Sequence, residues 1–133
     1  MKLRPVRGTH DIFGEEIEKF NRISKIVSKN AYLKDFKEIQ TPIFEFSELF
    51  AKPLGEQSDV VLKEMYSFED RNNEFLTLRP EYTTPMIRAA ITNNLLNDLP
   101  LKIFGIGPMF RRERPQKGRY RQFNQINFEI LGT

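Results

Sequence analysis

Arg121, Phe123, Gln125, Asn127 and Glu129 recur at every second position near the C-terminal end of the sequence. In an extended strand that period places all of them on one face and Ile126, Phe128 and Ile130 on the other. A row of guanidinium, phenyl, amides and carboxylate is a poor lining for a core. It suits the floor of a site for a polar ligand with a flat ring: a cation for phosphate, a ring face for stacking, acceptors and donors for a base or an amino group. The hydrocarbon face is expected to be core. Arg111 and Glu113 share a parity on the preceding strand and are expected to face the same side as the polar row.

The charge distribution points the same way. Arg111, Arg112, Arg114, Lys117, Arg119 and Arg121 against Glu113 give +5 over residues 111–121, whereas the whole chain, with 21 Lys and Arg and 18 Asp and Glu, carries +3. The remaining fifteen cations and seventeen carboxylates sum to −2. A basic patch on a nearly neutral body favours a phosphate-bearing ligand held at one place over a protein that coats nucleic acid with its whole surface. There is no Cys and a single His, His10, so disulfides, thiolate zinc sites and a histidine-based metal centre are not expected. His10 and Asp11 in "GTHD" read as a turn and helix start. "GIG" at 105–107 lacks the third glycine and following helix of a dinucleotide fingerprint. No apolar run approaches the roughly 18 residues of a membrane span, and "MKLRPVRGTHDIF" has no apolar signal region. A cytoplasmic protein without a membrane partner is expected.

These groups need elements to position them. With 133 residues and 39% hydrophobic content, one core and one domain are expected. Ile17, Phe20, Ile23, Val27 and Ala31 fall at helical spacing after Glu15 and Glu16, which suit the positive end of a helix dipole. Ile39 and Ile43 alternate with polar residues around Pro42, which implies an edge strand or an interface. "AKPLGEQSD" reads as loop, and "EMYSFED" and "EFLTLRP" flank "RNN" as a hairpin. Thr83 and Thr84 lead into Pro85 and a second helix with Met86, Ile87, Ala90, Ile91 and Leu95 on a broad apolar face, ending near Asn97. Two long strands then flank "RPQKGR", whose Pro115 and Gly118 supply turn chemistry. The predicted class is α+β, an antiparallel sheet with flanking helices, and no βαβ alternation supports a doubly wound sheet.

"MFRRERPQKGRYRQFNQINFE" resembles motif 2 of class II aminoacyl-tRNA synthetases, in the version of the histidyl-tRNA synthetases. "EIQTPIFE" is similar to motif 1, and "RPVRGTHDIF", "GEQSDVVLKEMYSF" and "TLRPEYTTPMIRA" look like that family's other early blocks, in the expected order. The resemblance implies that residues 1–133 form the N-terminal portion of a class II catalytic domain, with motif 1 at about 36–46 and motif 2 at about 101–131. It further implies histidine activation by ATP, with Mg2+ carried by the nucleotide and no metal site of the protein's own, followed by transfer to the acceptor end of tRNA(His). Its implied assembly is a homodimer through the motif 1 region.

Residue by residue, Arg111 matches the arginine that contacts the ATP α-phosphate, Glu113 the group that meets adenine, and Phe123 the ring that stacks on it. Arg119 and Arg121 lie where the family places further cations. Glu81, Thr83 and Gln125 match positions for the histidine α-amino group, and Glu129 one near the imidazole. Without the resemblance, Arg111 and Glu113 also fit an exposed cross-strand ion pair, Phe123 ordinary core, and Glu81 and Thr83 a helix start or cap. Arg112, Arg114 and Lys117 fit solvated loop charges as well as phosphate contacts to tRNA.

Two departures from the family pattern stand out. Asn124 replaces the usual histidine of "RQFHQ", on a parity pointing away from the polar row. The sequence also ends before motif 3 with its arginine, the histidine-specific segment and the anticodon-binding domain, so weak or undetectable activity is expected from this chain alone. The alternatives are a non-catalytic relative, the synthetase-like regulatory subunit of ATP phosphoribosyltransferase, and a dimerisation fragment.

Overall fold

Gly14, at φ +62°, turns the chain into helix α1 (Glu15–Leu33), whose first turn carries Glu15, Glu16 and Glu18 at the positive end of the dipole. The computed structural model describes residues 1–51, 63–112 and 120–132. Strand β1 (Lys37–Glu38) follows α1, then β2 (Phe44–Phe46), helix α2 (Ser47–Ala51), β3 (Ser67–Glu69) and β4 (Phe75–Leu78). Helix α3 (Thr83–Thr92) and the long strands β5 (Leu101–Phe110) and β6 (Gln122–Leu131) complete the described order. The expected loop over residues 51–59 lies almost wholly outside the described residues.

The strands form two three-stranded sheets, β1-β5-β6 and β2-β4-β3. All pairs are antiparallel except β1 with β5, which run parallel, so the predicted α+β class stands with one parallel rung set at an edge. Pro42 sits between β1 and β2, each the outer strand of its own sheet, where its missing N–H costs no ladder bond. The predicted hairpin is β3–β4. Asn72 and Asn73 make its turn at φ +67° and +59°, a region asparagine tolerates.

The core lies between α3 and the first sheet: Tyr82, Met86, Ile103 and Met109 are buried together, with Ile39, Leu101 and Phe123 packed against them. The strand alternation of β6 is as predicted, but its buried and exposed faces are exchanged. Ile126, Phe128 and Ile130 are 41%, 44% and 52% exposed, whereas Phe123, Gln125, Asn127 and Glu129 are half-buried. The cause is which helix covers which side. Helix α3 packs on the polar side, while on the other side the aromatic contacts run from Tyr32 to Phe104 and from Phe36 to Phe128, leaving most of β6 uncovered.

The helices show the same pattern. In α3 the buried residues are Pro85, Met86, Ala89 and Ala90, while Ile87, Ile91 and Leu95 of the predicted stripe are exposed. The helix ends at Thr92 rather than near Asn97, and a separate 3-10 turn spans Leu95–Asn97. On α1, Ala31 is buried and Ile17, Phe20 and Val27 are half-buried, but Ile23 is exposed.

"GIG" on β5 has a packing role. A Cβ on Gly105 would lie 2.7 Å from Met86 Cε and 2.9 Å from both Ile39 O and Tyr82 Cε2. The absent side chain lets α3 approach the sheet. Gly105→Ala should therefore cost about 1–3 kcal/mol of stability through overpacking, read as a lowered midpoint in urea denaturation.

Candidate active site

The β5–β6 ladder continues one rung past the strands. Arg111 N–H donates to Arg121 O at 2.9 Å, so the two arginines stand opposite one another on the same face as Met109 and Phe123. Like charges across a rung are unfavourable by themselves, and an anion laid over both relieves that cost. The Arg111 guanidinium lies 5.1 Å from the centroid of the Phe123 ring, and its Nε donates to Pro80 O at 3.1 Å. Phe123 thus meets both alternatives in part: it leans on the core and remains half-exposed beneath a cation. The Nε of Arg121 is buried and has no hydrogen-bond partner among the described residues. Glu113 and Arg119 lie outside the described residues, as do Arg114 and Lys117.

Farther along the same face, Gln125 Oε1 accepts Tyr82 N–H at 3.2 Å. Glu129 Oε1 accepts the Thr83 hydroxyl at 2.6 Å and Asn127 Nδ2 at 2.9 Å, and the same amide also reaches Thr83 Oγ1 at 3.3 Å. Thr83 therefore serves as a donor to the site and makes no cap. Glu81 does what its structural alternative proposed: both carboxylate oxygens accept Thr84 N–H, at 3.2 and 3.1 Å, satisfying an orphan donor of the first turn of α3. Arg111, Arg121, Phe123, Gln125 and Glu129, with Thr83, are thus brought to one side of one sheet. Asn124 projects to the opposite side, beside Pro108 and the α1 residues Phe20 and Ser24. His10 has a structural setting, 3.5 Å from Glu16 Oε1 with its ring 5.0 Å from that of Tyr120.

Residues 66–133 match the family model described as the tRNA synthetase class II core domain (G, H, P, S and T). The chain belongs to that family. It is 56% identical over 131 residues to the histidine–tRNA ligase of Gluconacetobacter diazotrophicus, a match covering 98% of this chain and 32% of that protein. The crystal structure of apo Staphylococcus aureus histidyl-tRNA synthetase superposes with a TM-score of 0.82 at 34% identity, over 99% of this chain and 30% of that one. A Bacillus halodurans protein described as an ATP phosphoribosyltransferase regulatory subunit/histidyl-tRNA synthetase shares the fold, with a TM-score of 0.83 at 20% identity over 100% and 33% of the two chains. The chain spans about a third of the length of the curated relatives it matches.

Within this class II core segment, sequence reasoning passed over Arg79. Its side chain is among the most deeply buried, at 1% exposure. Nε donates to Pro108 O at 2.9 Å, and Nη1 to Thr41 O at 3.0 Å, Thr41 Oγ1 at 3.2 Å and Pro42 O at 3.4 Å. The Cζ sits 4.4 Å from the Tyr82 ring centroid. No local signal marked it: Arg79 and Thr77 share a parity with the exposed Phe75, while Leu76 and Leu78 alternate on the other side, so the period alone would turn Arg79 outward. Asn127 stands in the same row, and its amide fixes the Glu129 carboxylate. Among the described residues no cluster of His, Cys, Asp or Glu could hold a metal ion, and no helix is long and apolar enough to cross a membrane.

Because Glu81 accepts the Thr84 N–H at the start of α3, Glu81→Ala should lower stability by on the order of 1 kcal/mol. Guanidinium denaturation without ligand reads this directly. A residue facing only the ligand would leave the midpoint unchanged.

Proposed function

We propose that this chain forms the first part of the catalytic domain of a histidine–tRNA ligase, in which it binds ATP and L-histidine. A carboxylate oxygen of histidine attacks the α-phosphorus, the bond to the leaving pyrophosphate breaks, and histidyl-adenylate forms. The histidyl group then passes to the acceptor end of tRNA(His). The observation that carries this reading is the single face on which Arg111 lies over Phe123 and across from Arg121, in line with Gln125, Asn127 and Glu129. Ligase names on relatives at 50–56% identity support it, whereas the regulatory-subunit alternative has a likeness of fold alone.

In this reading the Arg111 fork holds two nonbridging oxygens of the α-phosphate as negative charge builds there, which a lysine's point charge does less well. Adenine stacks on Phe123 and meets Glu113, and Arg119 and Arg121 hold the remaining phosphates. Mg2+ arrives with the triphosphate as part of the substrate. Gln125, Thr83 and Glu81 receive the histidine ammonium; a carboxylate has capacity beyond the bonds Glu81 gives to Thr84. Thr83 and Asn127 both bond to Oε1 of Glu129, leaving Oε2 for an imidazole N–H. Arg112, Arg114 and Lys117 meet the tRNA backbone. The exposed Ile43, Phe44 and Phe46 of the motif 1 region form part of a homodimer interface, and the protein works in the cytoplasm.

Isothermal titration of ATP and of L-histidine tests the division of roles. Arg111→Lys should weaken ATP about tenfold and leave histidine unchanged, while Glu129→Gln should weaken histidine about tenfold and leave ATP unchanged. If each variant altered the other ligand, or neither ligand bound the parent chain, the reading would fail. Because these 133 residues span about a third of the length of the ligases they match, histidine-dependent exchange of pyrophosphate into ATP by them alone is expected to be weak or undetectable.

A further inference from the structure

Arg79 is a charge placed where charges are costly, and among the described residues its side chain bonds to no carboxylate. Its acceptors are three backbone carbonyls and one hydroxyl. Those carbonyls belong to two separate places in the fold: Thr41 and Pro42 in the link from β1 to β2, and Pro108 near the end of β5. The backbone of Arg79 repeats the bridge, with its N–H donated to Ile43 O at 2.9 Å and its C=O accepting Phe110 N–H at 2.9 Å. One residue thus joins the two sheets by side chain and main chain together.

The next residues in sequence carry the site. Pro80 O accepts Nε of Arg111, Glu81 caps α3, Tyr82 N–H bonds Gln125 and Thr83 bonds Glu129. The Arg111 guanidinium therefore hangs from a carbonyl whose position is set by Arg79. Gly107 completes the fit, since a Cβ there would lie 2.5 Å from Arg79 Nη2. A guanidinium is needed for this, because its planar fork reaches Pro108 with Nε and the Thr41–Pro42 carbonyls with Nη1 at the same time.

We propose that Arg79 is a positioning residue for the nucleotide half of the site. It fixes the Pro80 carbonyl, and through it the orientation of the Arg111 guanidinium over Phe123. The link from Arg79 to Arg111 stands on geometry alone; its consequence for ATP rests on the function proposed above.

The test uses Arg79→Lys and Thr41→Val, with the exchange rate of the Arg111 Nε–H followed by nuclear magnetic resonance and β5 backbone amides as the report on global opening. Arg79→Lys should speed Arg111 Nε–H exchange at least about tenfold relative to those amides. Thr41→Val, which removes one acceptor and keeps the arginine, should speed it about two- to tenfold, the range expected for one net hydrogen bond. Thr41→Val serves as the test if the lysine variant does not fold. Arg111 exchange unchanged relative to β5 in a folded variant overturns the proposal. Faster exchange with ATP affinity lowered in proportion supports both the positioning role and the nucleotide reading. Faster exchange with ATP affinity unchanged upholds the positioning role and counts against Arg111 as the phosphate holder.

Discussion

A guanidinium buried to about 1% exposure has lost its hydration and must recover it from fixed acceptors, or the region around it cannot stay folded. Arg79 recovers it from carbonyls that no regular ladder was using, in the β1–β2 link and at Pro108. The arrangement satisfies both sides of the exchange, because the Thr41 and Pro42 carbonyls lie in the irregular β1–β2 link and Pro108 O lies on a part of β5 beyond its pairing with β1 at Ile103 and Phe104. It also couples distant parts of the chain. The β1–β2 link, the end of β4, the start of α3 and the end of β5 converge on one side chain, and residues Pro80 to Thr83, which bond Arg111, Thr84, Gln125 and Glu129, follow it directly.

The second tie between the sheets and α3 works differently. Arg88 grips Glu45 through two bonds, Nε to Oε2 at 3.0 Å and Nη2 to Oε1 at 2.7 Å, with the carboxylate almost wholly buried. Here the charges cancel, and the bidentate geometry fixes the angle of α3 against β2. Beneath them the Thr77 hydroxyl lies between Ser47 and Ser67, at 2.7 Å from each. The inner side of the second sheet is therefore polar and bonded, whereas Phe44, Phe46 and Phe68 are exposed on its other side.

Gln125, Asn127 and Glu129 of the polar row are held by bonds to the segment that opens α3 and to one another. Glu129 is held by Thr83 and Asn127, and Gln125 by the Tyr82 amide, so these groups would lose little freedom on binding. The more buried face of β6 is thus also its polar face. The usual assumption that the hydrocarbon side of a strand is the inner one fails here, since α3 reaches the sheet on the polar side through the space left by Gly105.

The sequence alone determined what depends on local periods and local chemistry. A period of two set which side chains of β6 share a face, helical spacing and an acidic first turn set α1, and "RNN" set the β3–β4 turn; the cluster of cations pointed to a phosphate-bearing ligand, and the quoted blocks carried the resemblance to the family. None of these needs knowledge of what packs against what. The tertiary structure alone decided which face of β6 is covered, why Gly105 and Gly107 must lack side chains, that Glu81 closes the start of α3, and that Arg79 is held by residues 29 to 38 positions away. Those facts turn on the meeting of elements remote in sequence, and an alternating or helical pattern specifies a face without specifying its neighbour.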